Sequence, residues 1–180
     1  LRVRADNEAP TEPGICIESG FIAAEATPKF HEVIAIGFRF PEYPDVSFSI
    51  TMRSTDEPSE QGQLDWGLNE AQATAKQEGQ SAWYSSIKKL RKGDRIISDW
   101  AGAEILTRMP ATDKSPSVHE FIYKYPGAAN EVLKPYVRID LNTGVKANSK
   151  SSNRPSLQDE EVVALWDKLT TSIQVRPVKN

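Results

Sequence analysis

The regular alternation of apolar and polar residues on both sides of a proline-rich segment constrains this chain more than any other feature. The apolar positions are Ile34, Ile36, Phe38 and Phe40 before that segment and Val46, Phe48, Ile50 and Met52 after it. Alternation of this kind is typical of half-buried β-strands, because successive side chains point to opposite faces of a sheet. The segment between them, residues 41–45, holds two prolines and an aspartate, which favour a turn. We therefore predict a β-hairpin over residues 31–53.

The apolar spacing changes to three and four between residues 55 and 92. The positions are Leu64, Leu68, Ala71 and Ala75, followed by Trp83, Ile87 and Leu90. This period predicts two helices, or one helix interrupted near Gly79. Gly93 is suited to end the second helix, which would place the basic residues at 88, 89, 91 and 92 near its C-terminal carbonyl groups.

The second half of the chain contains further strand patterns and one helix start. Strands are predicted at 95–98, 103–109, 118–125 and 136–141, with a turn at 99–102. Ser156 is expected to cap a helix that has acidic residues at 159–161 and an apolar stripe after them. Ile173 and Val175 predict a short final strand.

These elements together predict an α+β fold, with a mainly antiparallel β-sheet of about six to seven strands packed with two or three helices. A length of 180 residues suits one domain with its own core. We expect residues 1–13 to be a linker or extended lead-in, residues 14–177 to form a single domain, and residues 178–180 to be a tail.

Composition argues against several classes of function. A net charge of −3 provides no broad positive field for nucleic acid, and no apolar run is long enough to span a membrane. Cys16 is the only cysteine, and the two histidines, His31 and His119, have no metal-site spacing between them. The ten glycines form no phosphate-binding motif. We predict no metal, no cofactor and no nucleic-acid partner.

Catalytic patterns are sparse. The nucleophile motif G-x-S-x-G is absent, and the S-x-x-K match of Ser86 and Lys89 is short enough to arise by chance. His119 shares a strand face with aromatic residues at 121, 123 and 125. Charged residues that the alternation places outward could imitate an acid/base site or form solvated ion pairs; they are Glu104, Arg108, Glu120, Lys124, Arg138 and Asp140. We predict no catalytic residue, with a small hydrolase as the alternative.

Three aromatic residues in predicted turns or beside a glycine are candidates for contact with a protein partner: Tyr43, Trp66 and Trp100. Trp and Tyr in such places can anchor a protein interface. The alternative for each is packing beneath a loop.

Four stretches taken in order resemble a known family. They are GICIESGFI at 14–22, FRFPEYPDVSFSI at 38–50, LRKGDRIISDWAGAE at 90–104 and PSLQDEEVVALWDKL at 155–169. In order and spacing, over roughly residues 14–177, they resemble the C-terminal domain of immunity proteins that neutralise lipase effectors of the type VI secretion system.

The resemblance implies a periplasmic protein that binds a cognate phospholipase effector and blocks its access to substrate, without catalysis of its own. It assigns no contact residue, because the shared stretches are of the kind that preserves a fold. A non-catalytic accessory or ligand-binding module of similar fold is the other alternative.

Overall fold

The hairpin predicted around Pro41 is present and begins a six-stranded antiparallel sheet. The computed structural model describes residues 2–5, 8, 10–12, 14–17, 19–23, 33–58, 60–113, 115–131, 134–145 and 154–174. Its elements in chain order are β1 (Arg2–Val3), β2 (Gly14–Ile17), β3 (Gly20–Ala23), β4 (Val33–Phe40), β5 (Tyr43–Arg53), α1 (Leu64–Gln77), α2 (Ser81–Ser85), β6 (Lys88–Ile97), β7 (Trp100–Met109), β8 (Val118–Tyr125), β9 (Tyr136–Asn142) and α3 (Asp159–Thr171).

The strands form two sheets. The large sheet has the order β4-β5-β9-β8-β7-β6, and every neighbouring pair in it is antiparallel. A small sheet has the order β1-β3-β2, so residues 2–3 of the lead-in segment pair with β3. The predicted α+β class with a mainly antiparallel sheet is confirmed.

One face of the large sheet, the inner face, packs against α3. The buried side chains on this face come from alternate positions of the strands, as the half-buried pattern requires. The fully buried members of the core include Val46, Leu106, Phe121, Tyr123, Val137, Ile139, Leu141, Val162 and Trp166. The Trp166 ring lies edge-on to Phe48 and Phe121, with ring centroids 6.2 and 6.0 Å apart. The inner face therefore holds the main hydrophobic core.

The opposite, outer face is partly covered by α1 and α2. Leu64 and Ala75 are the buried residues of α1, and α2 has no buried residue. The Tyr84 hydroxyl donates a hydrogen bond to the Leu68 carbonyl at 3.1 Å, which joins the two helices. The result is three layers in the order α3, sheet, and α1 with α2.

The second predicted helix is wrong beyond residue 85. Residues 88–97 form β6, and Gly93 lies inside that strand opposite Glu104 rather than at a helix end. The register with β7 shifts between Lys89 and Arg91, so Leu90 interrupts the two-residue alternation. Trp83 of α2, Ile87 of the link and Leu90 of β6 are spaced four and three apart, which imitates one continuous helix.

The turn between β6 and β7 lies earlier than predicted. It consists of Ser98 and Asp99, with Ser98 at a φ of 53°, and Trp100 already pairs with Ile97. Gly102 is a strand residue, and a Cβ there would collide with the Lys124 carbonyl and the Tyr123 ring. Without that Cβ the Tyr123 hydroxyl reaches the Trp100 carbonyl at 2.6 Å.

The predicted helix α3 is present, but it starts at Asp159 with Gln158 as its N-cap residue, and Ser156 does not cap it. The Gln158 N–H donates to Glu161 Oε2 at 2.8 Å, which is half of a capping box. Ser156 instead donates its backbone N–H to the buried Asp45 carboxylate at 3.1 Å. At the other end, Ile173 packs against the core without forming a strand, and Val175 lies outside the described residues.

Candidate functional site

The three aromatic residues singled out in the sequence lie in different environments. Trp66, on α1, is 37% exposed, whereas Trp100 is 6% exposed within the core. Tyr43 begins β5 and packs half-buried against the same core. Of the three, Trp66 offers the most accessible ring. Contact of any of them with a partner stays a prediction.

A fourth aromatic residue, Trp83 on α2, is also 37% exposed. The apolar spacing of Trp83, Ile87 and Leu90 predicted a longer helix here. The five-residue length of α2 explains its exposure, because one turn of helix presents no continuous apolar face. The exposed indoles of Trp66 and Trp83 therefore both belong to the outer helical layer.

A groove of about 600 Å³ lies between this helical layer and the outer face of the sheet. Leu68 and Tyr84 belong to its helical wall. Its floor is formed by β7, β8 and β9 and includes Glu120, Lys124 and Arg138. The groove combines apolar walls with a charged floor, which is the composition of many binding surfaces.

The charged residues of the floor have perturbed pKa values. Burial, together with the negative charge of Asp140, raises the pKa of Glu120. Burial, together with the positive charge of Arg138, lowers the pKa of Lys124. The guanidinium of Arg138 binds the Asp140 carboxylate at 2.7 Å, which raises the Arg138 pKa. An opposite charge brought by a partner would favour the charged forms of Glu120 and Lys124.

The predicted outward positions are right for these four residues and wrong for Glu104 and Arg108. Glu104 is 3% exposed and lies on the inner face, where it accepts hydrogen bonds from Trp166 Nε1 at 2.9 Å and Arg91 Nε at 2.6 Å. Glu104 can lie on the inner face because Arg91 and Arg95 of β6 form ion pairs with its carboxylate beneath α3. Charged residues can occupy an inner face when they are paired in this way.

A second inner cluster surrounds Asp159 at the start of α3. Its carboxylate contacts Lys88 Nζ at 2.8 Å, His119 Nε2 at 3.0 Å and Arg108 at 3.1 Å. Burial opposes the charge of Asp159, but hydrogen bonds from Lys88 and His119 and the charge of Arg108 outweigh it and lower its pKa from 3.8 to about 2. These contacts tie the first turn of α3 to β6, β7 and β8.

We expect the Asp159 cluster to make the stability of the fold depend on pH below about pH 4. Because the folded pKa is lower than the unfolded one, the carboxylate stabilises the fold above pH 4 and loses that effect as the pH falls toward 2. Between pH 4 and pH 2, this group should lower the free energy of unfolding of the wild type, measured with urea, by about 2 kcal/mol. The Asp159→Asn variant should be less stable than the wild type at pH 6, and its free energy of unfolding should fall by less between pH 4 and pH 2. Equal losses in the two proteins would contradict the assignment.

The catalytic candidates are placed as follows. Ser86 follows the last residue of α2 and Lys89 lies in β6, so the S-x-x-K residues do not share one helix. The Ser86 hydroxyl donates to the Trp83 carbonyl at 2.6 Å. His119 is 4% exposed, and its ring nitrogens lie 3.1 Å from the Thr143 hydroxyl and 3.0 Å from Asp159. The contacts of His119 therefore belong to the inner structural cluster.

Within the described ranges, no group of three His, Cys, Asp or Glu side chains could hold a metal ion. His31 lies outside those ranges. None of the helices that the structure describes is both long and apolar enough to cross a membrane.

Comparison with known proteins relates the chain to immunity proteins. No curated protein matches it. Among solved structures it is similar to a chain of the Tle4–Tli4 complex, with 28% identity over 99% of this chain and a TM-score of 0.74. It is also similar to the T6SS immunity protein TplEi from Pseudomonas aeruginosa, as the apo protein (26% identity over 99% of this chain, TM-score 0.70) and with a bound "L" peptide (26% over 98%, TM-score 0.72).

The chain spans 56%, 55% and 58% of the lengths of those three chains, respectively. The sequence profile of the Tle cognate immunity protein 4 C-terminal domain matches residues 8–178, which is nearly the whole chain. The order of strands and helices described above is thus shared with solved T6SS immunity proteins. The chain belongs to the family of Tle cognate immunity protein 4 C-terminal domains.

Proposed function

We propose that this chain is the part of an immunity protein that binds a cognate secreted antibacterial lipase and blocks its access to substrate. The observation that carries the proposal is membership in the Tle cognate immunity family, together with the 28% identity to a chain of the Tle4–Tli4 complex. In this proposal the chain is a non-catalytic inhibitor with no cofactor, and its partner is the effector protein. Its site of action is the periplasm.

The proposed working unit is a single domain of residues 14–177, preceded by the lead-in at 1–13 and followed by the tail at 178–180. The inner face of its sheet is occupied by α3 and the core. The groove on the outer face, together with the exposed ring of Trp66 on α1, is therefore the surface that we assign to the effector.

Trp66 is the residue of this surface best suited to anchor a partner. It is held on a helix of 14 residues whose buried Leu64 fixes one end, while Asp65 binds Lys92 of β6 at 2.7 Å. A rigidly held indole loses little side-chain freedom on binding. Tyr43 and Trp100, the other predicted contacts, have most of their ring surface in the core and are proposed to support the fold around the interface.

We expect the purified chain to bind its cognate lipase and to reduce the rate of lipid hydrolysis. The Trp66→Ala variant should bind about tenfold or more weakly by calorimetric titration, since truncation of an aromatic anchor costs about 2 kcal/mol or more and about 1.4 kcal/mol is tenfold. The inhibitor concentration for half-maximal lipase activity should rise by the same factor.

Trp83→Ala is the matched control, because Trp83 has the same 37% exposed fraction but lies on a five-residue helix with no buried residue. Its affinity for the lipase should stay within a factor of about two of the wild type. Absence of binding by the wild-type chain would overturn the proposed function. Equal effects of the two substitutions would overturn only the assignment of Trp66.

A further inference from the structure

The two edges of the large sheet differ sharply in charge. One edge is β6, whose ten residues include Lys88, Lys89, Arg91, Lys92, Asp94 and Arg95. The other edge is β4, where residues 33–38 read VIAIGF and carry no charge. Charged side chains on an edge strand oppose pairing with another chain, and proline or a covering element serves the same purpose. The β6 edge carries such charges, whereas residues 33–38 contain neither a charged residue nor a proline.

The β4 edge also exposes large apolar side chains. Val33 is 62% exposed, Ile36 39% and Phe38 44%. In the part of the chain that the structure describes, β4 pairs only with β5, so its other side presents unpaired backbone N–H and C=O groups. An extended strand can satisfy those groups in a regular ladder.

We propose that β4 pairs antiparallel with β4 of a second copy of this chain, centred on Ile36, and that this pairing makes a symmetric dimer. The proposal is independent of lipase binding. In this register Ile36 lies opposite Ile36 of the second copy, Ile34 opposite Phe38, and Ala35 opposite Gly37. A twofold axis perpendicular to the sheet keeps the same face of both copies on the same side.

This register suits a second copy because the strand is complementary to itself. Ile34, Ile36 and Phe38 share the inner face, where each lies beside an apolar residue of β5, so pairing joins two apolar strips. The opposite face places the small residues Ala35 and Gly37 together. Arg39 lies opposite Val33, so the two arginines stay about 20 Å apart along the strands. Across the paired residues 33–39 of the two copies, no two like charges lie opposite each other, and pairing buries no charged side chain.

Mass measurement tests the dimer. The average mass of the wild-type chain by light scattering should rise from 20.0 kDa toward twice that value as concentration increases. Ile36→Lys should keep the chain monomeric, because it places two positive charges opposite each other at the twofold axis. Ile96→Lys is the matched control, since Ile96 is 72% exposed on the charged edge strand β6, and it should dimerise like the wild type.

Cross-linking tests the register. In a Cys16→Ser background, Ile36→Cys should form a disulfide-linked dimer on mild oxidation, because directly opposed residues of antiparallel strands lie about 4.5–5.5 Å apart at Cα. Val33→Cys should not, since the two copies of Val33 would be about 20 Å apart. A wild-type chain that stays monomeric at every concentration overturns the proposal, as does equal cross-linking at both positions. A monomer whose Ile36→Lys variant binds the lipase weakly would assign the edge to the effector and reject the dimer.

Discussion

Replacing Trp166 with alanine is expected to lower the free energy of unfolding by about 3–5 kcal/mol, the range for truncating a buried tryptophan. Trp166 is 0% exposed and lies between the rings of Phe48 and Phe121. Its indole N–H also donates to Glu104 at 2.9 Å. The substitution would thus open a cavity between α3 and the sheet and remove one donor from a buried carboxylate. Urea unfolding followed by far-ultraviolet circular dichroism measures the loss.

Trp83→Ala is the matched control for that experiment, because it removes the same side chain from a site that is 37% exposed. Its effect should be clearly smaller than that of Trp166→Ala, since Trp83 is already 37% exposed and less buried apolar surface is lost. If the two variants lost similar stability, the packing of α3 through Trp166 would not be the main contact of the inner layer.

The parts of the fold that could be predicted are those whose sequence pattern lies within one short stretch of the chain. The β4–β5 hairpin is one example, because a strand buried on one face alternates and a proline-rich turn stands between its two strands. The helix α3 is another, since acidic residues at its start and an apolar stripe are both local features. Both elements depend little on residues far away in the sequence.

The first part of β6, residues 88–94, was not predictable for the opposite reason, whereas its end was predicted as the strand at 95–98. Its arginines bind Glu104 and Asp167, and Asp167 lies 76 positions after Arg91. The local sequence contains only a basic cluster beside a glycine, which is equally typical of a helix end. Charged residues lie on both faces of β6, so no alternation of apolar and polar residues indicates a strand before residue 95. Tertiary pairing with β7 decides the structure of this segment.

The candidate surface was predicted only in part. An exposed Trp66 beside a glycine could be expected from a polar helix, whereas the burial of Trp100 depends on a turn that begins one residue earlier than composition suggests and ends before Trp100. The groove depends on the crossing of α1 and α2 over β7–β9, a relation between segments that single-sequence periodicity does not contain. The sequence predicts that the floor residues share one face of the sheet, but it does not predict that α1 and α2 lie over that face.

Replacing Glu104 with alanine should destabilise the protein by about 3 kcal/mol, at the lower end of the range for removing one partner of a buried ion pair. Glu104 is held by Arg91, Arg95 and Trp166, and its loss leaves the two guanidinium groups with Asp167 as their remaining carboxylate. Asp167 stays in contact with both, which is why the upper end of the range is not expected. Urea unfolding at pH 7 measures the change.

Asp65→Ala is the control for Glu104→Ala, because it breaks an ion pair of similar length, 2.7 Å between Asp65 and Lys92. The Asp65 side chain is 72% exposed. An exposed pair of this kind contributes about 0–1 kcal/mol. A Glu104 variant that lost no more stability than the Asp65 variant would contradict a structural role for the buried network.

A double-mutant cycle separates the hydrogen bond between Trp166 and Glu104 from the packing of the indole. Trp166→Phe keeps an aromatic ring but removes the N–H donor, and Glu104→Gln keeps the shape of the side chain but removes its charge. Because both substitutions weaken the same contact, the double variant should lose less stability than the sum of the single variants by on the order of 1 kcal/mol. Additivity within about 0.3–0.5 kcal/mol would mean that the two groups act independently. In that case α3 would be held to the sheet by packing and by the arginine pairs alone.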